Sequence, residues 1–429
     1  MKLISRTLGD ICDEVGGTIR TGPFGSQLHE TDYLEQGTPV VMPKNIVDGK
    51  ISIGDIARIG EDDTRRLSQH KLRAGDIVYG RRGDIGRRGL ITKEEDGWIC
   101  GTGCLRISLG CKVLDPTFLY YYLGHPEVIA WVANQAIGAT LPNLNTSIIR
   151  DIQVRYPPLP TQHKIASILS AYDDLIENNT RRIAILEEMA QSIYQEWFVR
   201  FRYPGHEKNG MVESVLGMIP EGWSVEKLGS VLTLQRGFDL PTTQREPGNI
   251  PVYASTGPVG THDQAKVKGP GILTGRSGSL GTVTYVEEDF WPLNTTLWVK
   301  NFYSVTPLYT FYLLRSIDLA VLNSGVAVPT LDRNSVHKLL IILPPYNLIK
   351  QFDSYVSTIF DLKIKLGKKN ANLRRTRDLL LPRLISGEID VEALDIAVPD
   401  IIEPEEQAET PITVPPEPID AIQMALPLS

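Results

Sequence analysis

The residues best suited to chemistry lie in one run near the start of the chain. Gly80-Arg81-Arg82-Gly83-Asp84-Ile85-Gly86-Arg87-Arg88-Gly89 sets four arginines within eight positions, spaced by glycine. Glycine lets backbone approach a phosphate closely, and a guanidinium forks onto phosphate or the guanine edge. A solvated hairpin loop also accommodates such a run. The counterpart Gly275-Arg276-Ser277-Gly278 recurs later. The matched positions of Arg81 and Arg276 favour DNA, with Arg82, Arg87, Arg88 and Ser277 as further candidates. A second matched pair is Gly138–Asn145 and Gly325–Asp332, Pro-bent loops of small polar residues that can reach base edges or backbone. Thr140, Asn143, Asn145 and Thr330 are their candidates, against the reading of a tight connector ending in a helix cap. Lys44 and Asn45 follow an apolar strand and suit a DNA-facing tip, and Thr21–Ser26 is one more glycine-bearing loop.

Catalytic chemistry is harder to find. Pro344-Pro345-Tyr346 resembles the core of amino-methyltransferases, but Leu343 precedes it and the matched site, Pro157-Pro158-Leu159, has no tyrosine. No glycine fingerprint opens a helix and no Gly-Lys-Ser/Thr loop is present. The seven histidines are scattered, without metal-ligand spacing. The four cysteines (Cys12, Cys100, Cys104 and Cys111) read as small buried hydrophobes rather than a disulfide framework or a zinc site. We therefore expect no catalytic residue, no metal ligand and no cofactor bound by this chain.

The net charge of −7 is misleading. Residues 387–429 hold 11 acidic and no basic residues, leaving 44 basic against 40 acidic elsewhere, a mildly basic body that permits DNA contact. With seven prolines from Val398 onward, that tail is expected to be disordered. No apolar run reaches the ~18 residues that a membrane span needs, and the opening MKLISRTLGD lacks a signal pattern. A cytoplasmic protein with no membrane partner is expected.

The elements that must position the loops repeat. Leu8-Gly9-Asp10-Ile11 echoes Leu228-Gly229-Ser230-Val231, and Leu141-Pro142-Asn143-Leu144 echoes Val328-Pro329-Thr330-Leu331. With the Gly-Arg and Pro-Pro pairs, the offsets run 220, 195, 187 and 187. A scaffold is duplicated, and its first copy carries extra residues ahead of the Gly-Arg loop. Each half has short β-type runs, a short helical stretch, and a Pro-Pro turn opening a long helix. Ile165, Tyr172, Asn179, Leu186 and Ile193, with Leu169, Ile176, Ile183, Ala190 and Trp197, form a heptad seam. Phe352, Ile359, Leu366, Leu373 and Leu380 answer it, beside a weaker row of Val356, Lys363, Asn370, Arg377 and Leu384. At 1.5 Å per residue, ~35 residues make a rod of roughly 50 Å. If the two pair antiparallel with centred seams, Asn179 falls opposite Asn370 and fixes the register.

The ordered set of motifs resembles the DNA specificity subunit of type I restriction-modification systems over roughly residues 5 to 390. It includes Gly37–Ile46, Pro157–Gln162, Ser192–Phe198, Ile219–Trp223 and Leu379–Gly387. The fold class so implied is α+β: two mixed α/β target-recognition domains, each followed by a long α-helix, the helices pairing as an antiparallel coiled coil. The division would be 1–158 for the first recognition domain, 159–200 for the first helix, 201–220 for a linker, 221–345 for the second domain, 346–386 for the second helix and 387–429 for the tail. The resemblance implies a non-catalytic chain reading an asymmetric bipartite target in double-stranded DNA. Its helices, Thr161 to Phe198 and Leu348 to Ile385, would dock two methyltransferase subunits, and restriction subunits would join them. S-adenosylmethionine, ATP and Mg2+ would be used by the partners. The rival readings are a DNA-independent coiled-coil scaffold and, further off, a DNA adenine methyltransferase or nuclease.

Overall fold

The computed structural model describes residues 2–24, 27–81, 86–135, 144–325 and 328–398. Two compact units emerge, one of Met1–Asp174 with Arg374–Ser429 and one of Leu175–Leu373. Each holds one globular head with a stretch of both long helices.

In the first unit a four-stranded sheet runs in the order Thr18–Thr21, Cys104–Ser108, Ile77–Gly80, Arg88–Leu90. In the second the order is Leu232–Arg236, Thr296–Phe302, Gly271–Gly275, Val283–Val286, the same arrangement at shifted numbers. A second sheet in each head contains one parallel pair, Ile99–Cys100 with Thr38–Val41 and Trp291–Pro292 with Ile250–Ala254. The extra residues of the first copy build strands and a short helix, Tyr33–Leu34, the Ile46–Val47/Lys50–Ile51 hairpin and Glu61–Arg66.

Both heads close the same way. Ile4–Thr7 pairs antiparallel with Gln153–Tyr156, and Ser224–Lys227 with Leu340–Leu343. The following Leu8 N–H donates to Ile152 O, as Leu228 N–H does to Leu339 O, both at 2.8 Å. A short helix sits on each sheet, Pro116–Tyr122 capped by Asp115 and Pro307–Ser316 capped by Thr306, each with proline in its first turn.

The Pro-Pro turns open the long helices. Pro158 O accepts from Thr161 and Gln162 N–H, and Pro345 O accepts from Leu348 and Ile349 N–H. The helices span Leu159–Tyr194, continued by a π-helical turn Gln195–Val199, and Tyr346–Ile385. Gly387, at φ 78, takes the left-handed conformation that ends a helix. None of the heptad-seam residues is exposed. In the first unit Ile165 and Leu169 share a core with Leu381, Leu384, Leu8, Phe118 and Leu119. In the second, Tyr194, Trp197 and Phe198 join Phe352 and Val356 over Tyr309 and Leu331. Each such side chain removed from water contributes roughly 1.5–3 kcal/mol.

The weaker polar row is paired residue by residue, and in antiparallel order. In the second unit Lys363 meets Glu187 at 3.1 Å, and Asn179 Nδ2 donates to Asn370 Oδ1 at 2.8 Å. In the first unit Arg377 pairs with Asp173. Burial works against the Arg377 charge, but Asp173 and Asp378 outweigh it and raise its pKa. Tyr121 OH donates to the same Asp173 carboxylate at 2.5 Å.

Candidate nucleic-acid interface

The two matched loops that the sequence singles out are bonded to each other in both heads. In the first, Arg81 follows the strand Ile77–Gly80. Its N–H donates to Gly103 O and its carbonyl accepts from Leu144 N–H, both at 2.9 Å. In the second, Arg276 N–H donates to Thr295 O and its carbonyl accepts from Leu331 N–H, both at 2.8 Å. Leu144 and Leu331 are buried anchors. A third segment closes on this end of the sheet. Gly22 N–H donates to Cys104 O at 3.0 Å, and Gly237 N–H to Thr296 O at 3.1 Å. Only glycine fits there, since a Cβ would stand 2.0 Å from Gly101 O in the first case and 2.2 Å from Leu293 O in the second. Four segments therefore meet at one end of each central sheet, held by backbone bonds, and the Gly22 and Gly237 contacts among them require glycine.

The candidates sort by what their atoms already do. Arg276 is half-buried, with Nη1 3.3 Å from Asn294 O. Ser277 N–H donates to Thr295 O at 3.1 Å, and Gly278 N–H donates to Pro329 O at 3.0 Å. Thr330 braces its loop, its N–H donating to Asn323 Oδ1 at 2.9 Å and its hydroxyl to Val328 O at 3.0 Å. Arg81 is half-buried, while Arg87 and Lys44 are exposed. Arg82, Thr140 and Asn143 lie outside the described residues.

Three candidates are occupied by the fold. Asn45 is 1% exposed, its Oδ1 accepting from Met42 N–H at 3.0 Å and its Nδ2 donating to Ser52 O at 3.4 Å, so it staples a turn instead of facing DNA. Arg88 is drawn inward, with Nε donating to Tyr120 O at 2.7 Å and its guanidinium 4.8 Å from the Tyr120 ring centre. Burial lowers its pKa and Tyr120 and Tyr79 offset that in part. Asn145 caps Thr146–Arg150 through Ile148 N–H at 2.9 Å. Asp332 does the same for Arg333–His337 through Ser335 N–H, also at 2.9 Å.

Cys12, Cys100 and Cys104 are buried, and burial pushes the Cys100 thiol up to about 12, away from the thiolate that metal binding or nucleophilic attack needs. Tyr346, of the tempting Pro-Pro-Tyr, is the first residue of the second long helix and lies against Lys350. Among the described residues no group of three or more His, Cys, Asp or Glu is placed to hold a metal ion, and no helix is long and apolar enough to cross a membrane.

The family model described as type I restriction modification DNA specificity domain matches residues 5–188 and 220–373, one stretch for each head. The chain belongs to this specificity family. The MjaIX specificity subunit of Methanocaldococcus jannaschii is 27% identical over 304 residues, 65% of this chain and 70% of its own length. The HindI specificity subunit of Haemophilus influenzae is 22% identical over 406 residues, 74% of this chain and 87% of its own. The crystal structure of a type I restriction-modification S subunit from M. genitalium matches the fold with a TM-score of 0.56 at 19% identity, covering 90% of this chain and 96% of that one. The duplicated α+β heads and paired helices are thus the fold of the specificity family.

Sequence reasoning missed the turn that completes each tip, Gly101–Gly103 in one head and Leu293–Thr295 in the other. The two turns share almost no residues, so no repeat search links them. Their equivalence is visible only in the hydrogen bonds that they receive from Arg81 and Arg276.

Proposed function

We propose that this chain is the non-catalytic, DNA-reading subunit of a type I restriction-modification complex. Its two heads read the unlike halves of an asymmetric bipartite target. The paired helices set the unread gap between the halves, and the helix spans Thr161 to Phe198 and Leu348 to Ile385 dock two methyltransferase subunits, through which restriction subunits join. S-adenosylmethionine, ATP and Mg2+ serve those partners, and the complex works in the cytoplasm.

One observation carries the reading: an identical backbone frame is built twice, and each copy presents different side chains at its tip. That is what two unlike half-sites require of one duplicated scaffold. A protein-binding scaffold would explain the helices and leave the duplicated Gly-Arg tips without a purpose.

The test is co-expression with the partner methyltransferase in a host lacking adenine methylation, followed by sequencing of methylated adenines. The expected motif is two unlike blocks around a fixed gap. A palindromic motif, or no methylation by a complex that assembles, overturns the proposal. In binding assays with the partner present, Arg81→Ala and Arg276→Ala each lower affinity and flatten its salt dependence, by about 0.9 in logarithmic slope for each phosphate that is no longer neutralised.

A further inference from the structure

We infer that Asp239, supported by Asn294, reads a base in the second half-site, and that Phe24 holds the matched reading position in the first. This rests on the DNA-reading role proposed above and names the residues that would give it sequence preference.

The two positions are equivalent by backbone bonding. Phe24 lies two residues beyond Gly22, and Asp239 two beyond Gly237, the matched glycines that donate to Cys104 and Thr296. Asn294 directly precedes Thr295, the acceptor for Arg276 N–H, just as Thr102 precedes Gly103, the acceptor for Arg81 N–H. The side chains on these equivalent places differ completely. In the second head Asp239 is exposed, and Asn294 Nδ2 donates to its carboxylate while Arg276 leans on Asn294 O at 3.3 Å. In the first head Phe24 is 60% exposed, its N–H held by Gln27 Oε1 at 3.1 Å.

Each chemistry matches a different base edge. A carboxylate held in place by an amide accepts from an exocyclic amino group, as on adenine N6 or cytosine N4, and repels the two acceptors of guanine. An exposed phenyl ring cannot hydrogen-bond and instead contacts the thymine methyl. The adjacent Arg81 and Arg276 supply the phosphate contacts that position each tip without reading sequence.

The experiment uses the full chain with its methyltransferase partner and reads the methylated motif of wild type, Asp239→Asn, Asn294→Ser and Phe24→Ala. Asp239→Asn is nearly isosteric and keeps the loop filled. It should lose roughly ten-fold in discrimination at one base of one half-site, with the other half-site and the gap unchanged. Phe24→Ala should relax one thymine in the opposite half-site only. Unfolding midpoints are measured alongside, because a mere loop brace behaves differently. A lower midpoint with an unchanged motif assigns Asp239 a structural role and overturns the inference, as does an unchanged motif with an unchanged midpoint. If Asp239→Asn does not accumulate, the Asn294→Ser and Phe24→Ala motifs decide alone, and both unchanged overturn it. A wild-type complex that yields no bipartite motif defeats the DNA-reading proposal itself, which separates the two failures.

Discussion

The amide pair in the helix seam allows a prediction whose size follows from the hydrogen bonds. Asn179 and Asn370 are each 4% exposed. Asn370 accepts from Asn179 Nδ2 and donates to Ile176 O and Thr180 Oγ1, both at 3.1 Å. Asn370→Leu leaves the Asn179 amide group buried without that acceptor, which costs ~1–3 kcal/mol. Ile176 O is not stranded, because Thr180 Oγ1 still donates to it at 2.7 Å. Asn179→Leu does less harm, since Asn370 keeps both of the acceptors it donates to, and should cost about 1 kcal/mol. The double Asn→Leu variant removes both polar groups together, and replacing paired buried polar groups by apolar ones is close to neutral or stabilising. The cycle should therefore show a favourable coupling of about 2–4 kcal/mol, the sum of the two single costs that the double variant escapes. Urea titrations of the full chain would measure it, followed by tryptophan fluorescence. Trp197, Trp223, Trp291 and Trp298 report on the second unit, whose transition is read separately if the two units unfold apart. Strictly additive single variants, or a larger cost for Asn179→Leu than for Asn370→Leu, would refute the assignment. If the pair also fixes register, the double variant should be stable yet methylate sites with more than one gap length.

Other outcomes follow from the same structure. His337 Nε2 accepts from Leu234 N–H at 2.9 Å, so the ring is neutral, and burial followed by the Arg333 charge lowers its pKa. A lowered folded-state value means that this stability is fully present above the unfolded imidazole value of ~6.5 and is lost as pH falls from there through the folded pKa. The unfolding midpoint of the second unit should fall over that window, and His337→Gln should flatten the drop. Gly237→Ala should force the tip apart against Leu293 O, abolishing selectivity for one half-site while the motif keeps the other half; an unaltered motif would contradict the close approach. Arg88→Met should destabilise the first unit by roughly 2–3 kcal/mol, because a charged hydrogen bond disappears, and leave the salt slope of DNA binding unchanged; a flatter slope would restore Arg88 as a phosphate ligand.

What could be read from the sequence divides along a physical line. The Pro-Pro turns, the heptad rows and the Leu8/Leu228 and Leu144/Leu331 echoes serve backbone geometry and burial, which both copies need alike, and so they survive in the letters. Arg88 and Asn45 mislead because composition shows that an arginine or asparagine is present, not that Tyr120 O or Met42 N–H has already claimed it. The tips pose the opposite problem. If two heads are to read unlike half-sites, the reading positions are the ones where the copies must diverge, as Phe24 and Asp239 do, so a search for repetition passes over them. Such residues become visible only when backbone bonds, the Gly22 and Gly237 N–H donations and the bonds to the Arg81 and Arg276 carbonyls, establish which places correspond. In a duplicated reader, then, similarity locates the frame, and the strongest contrast at a matched place in that frame locates the specificity.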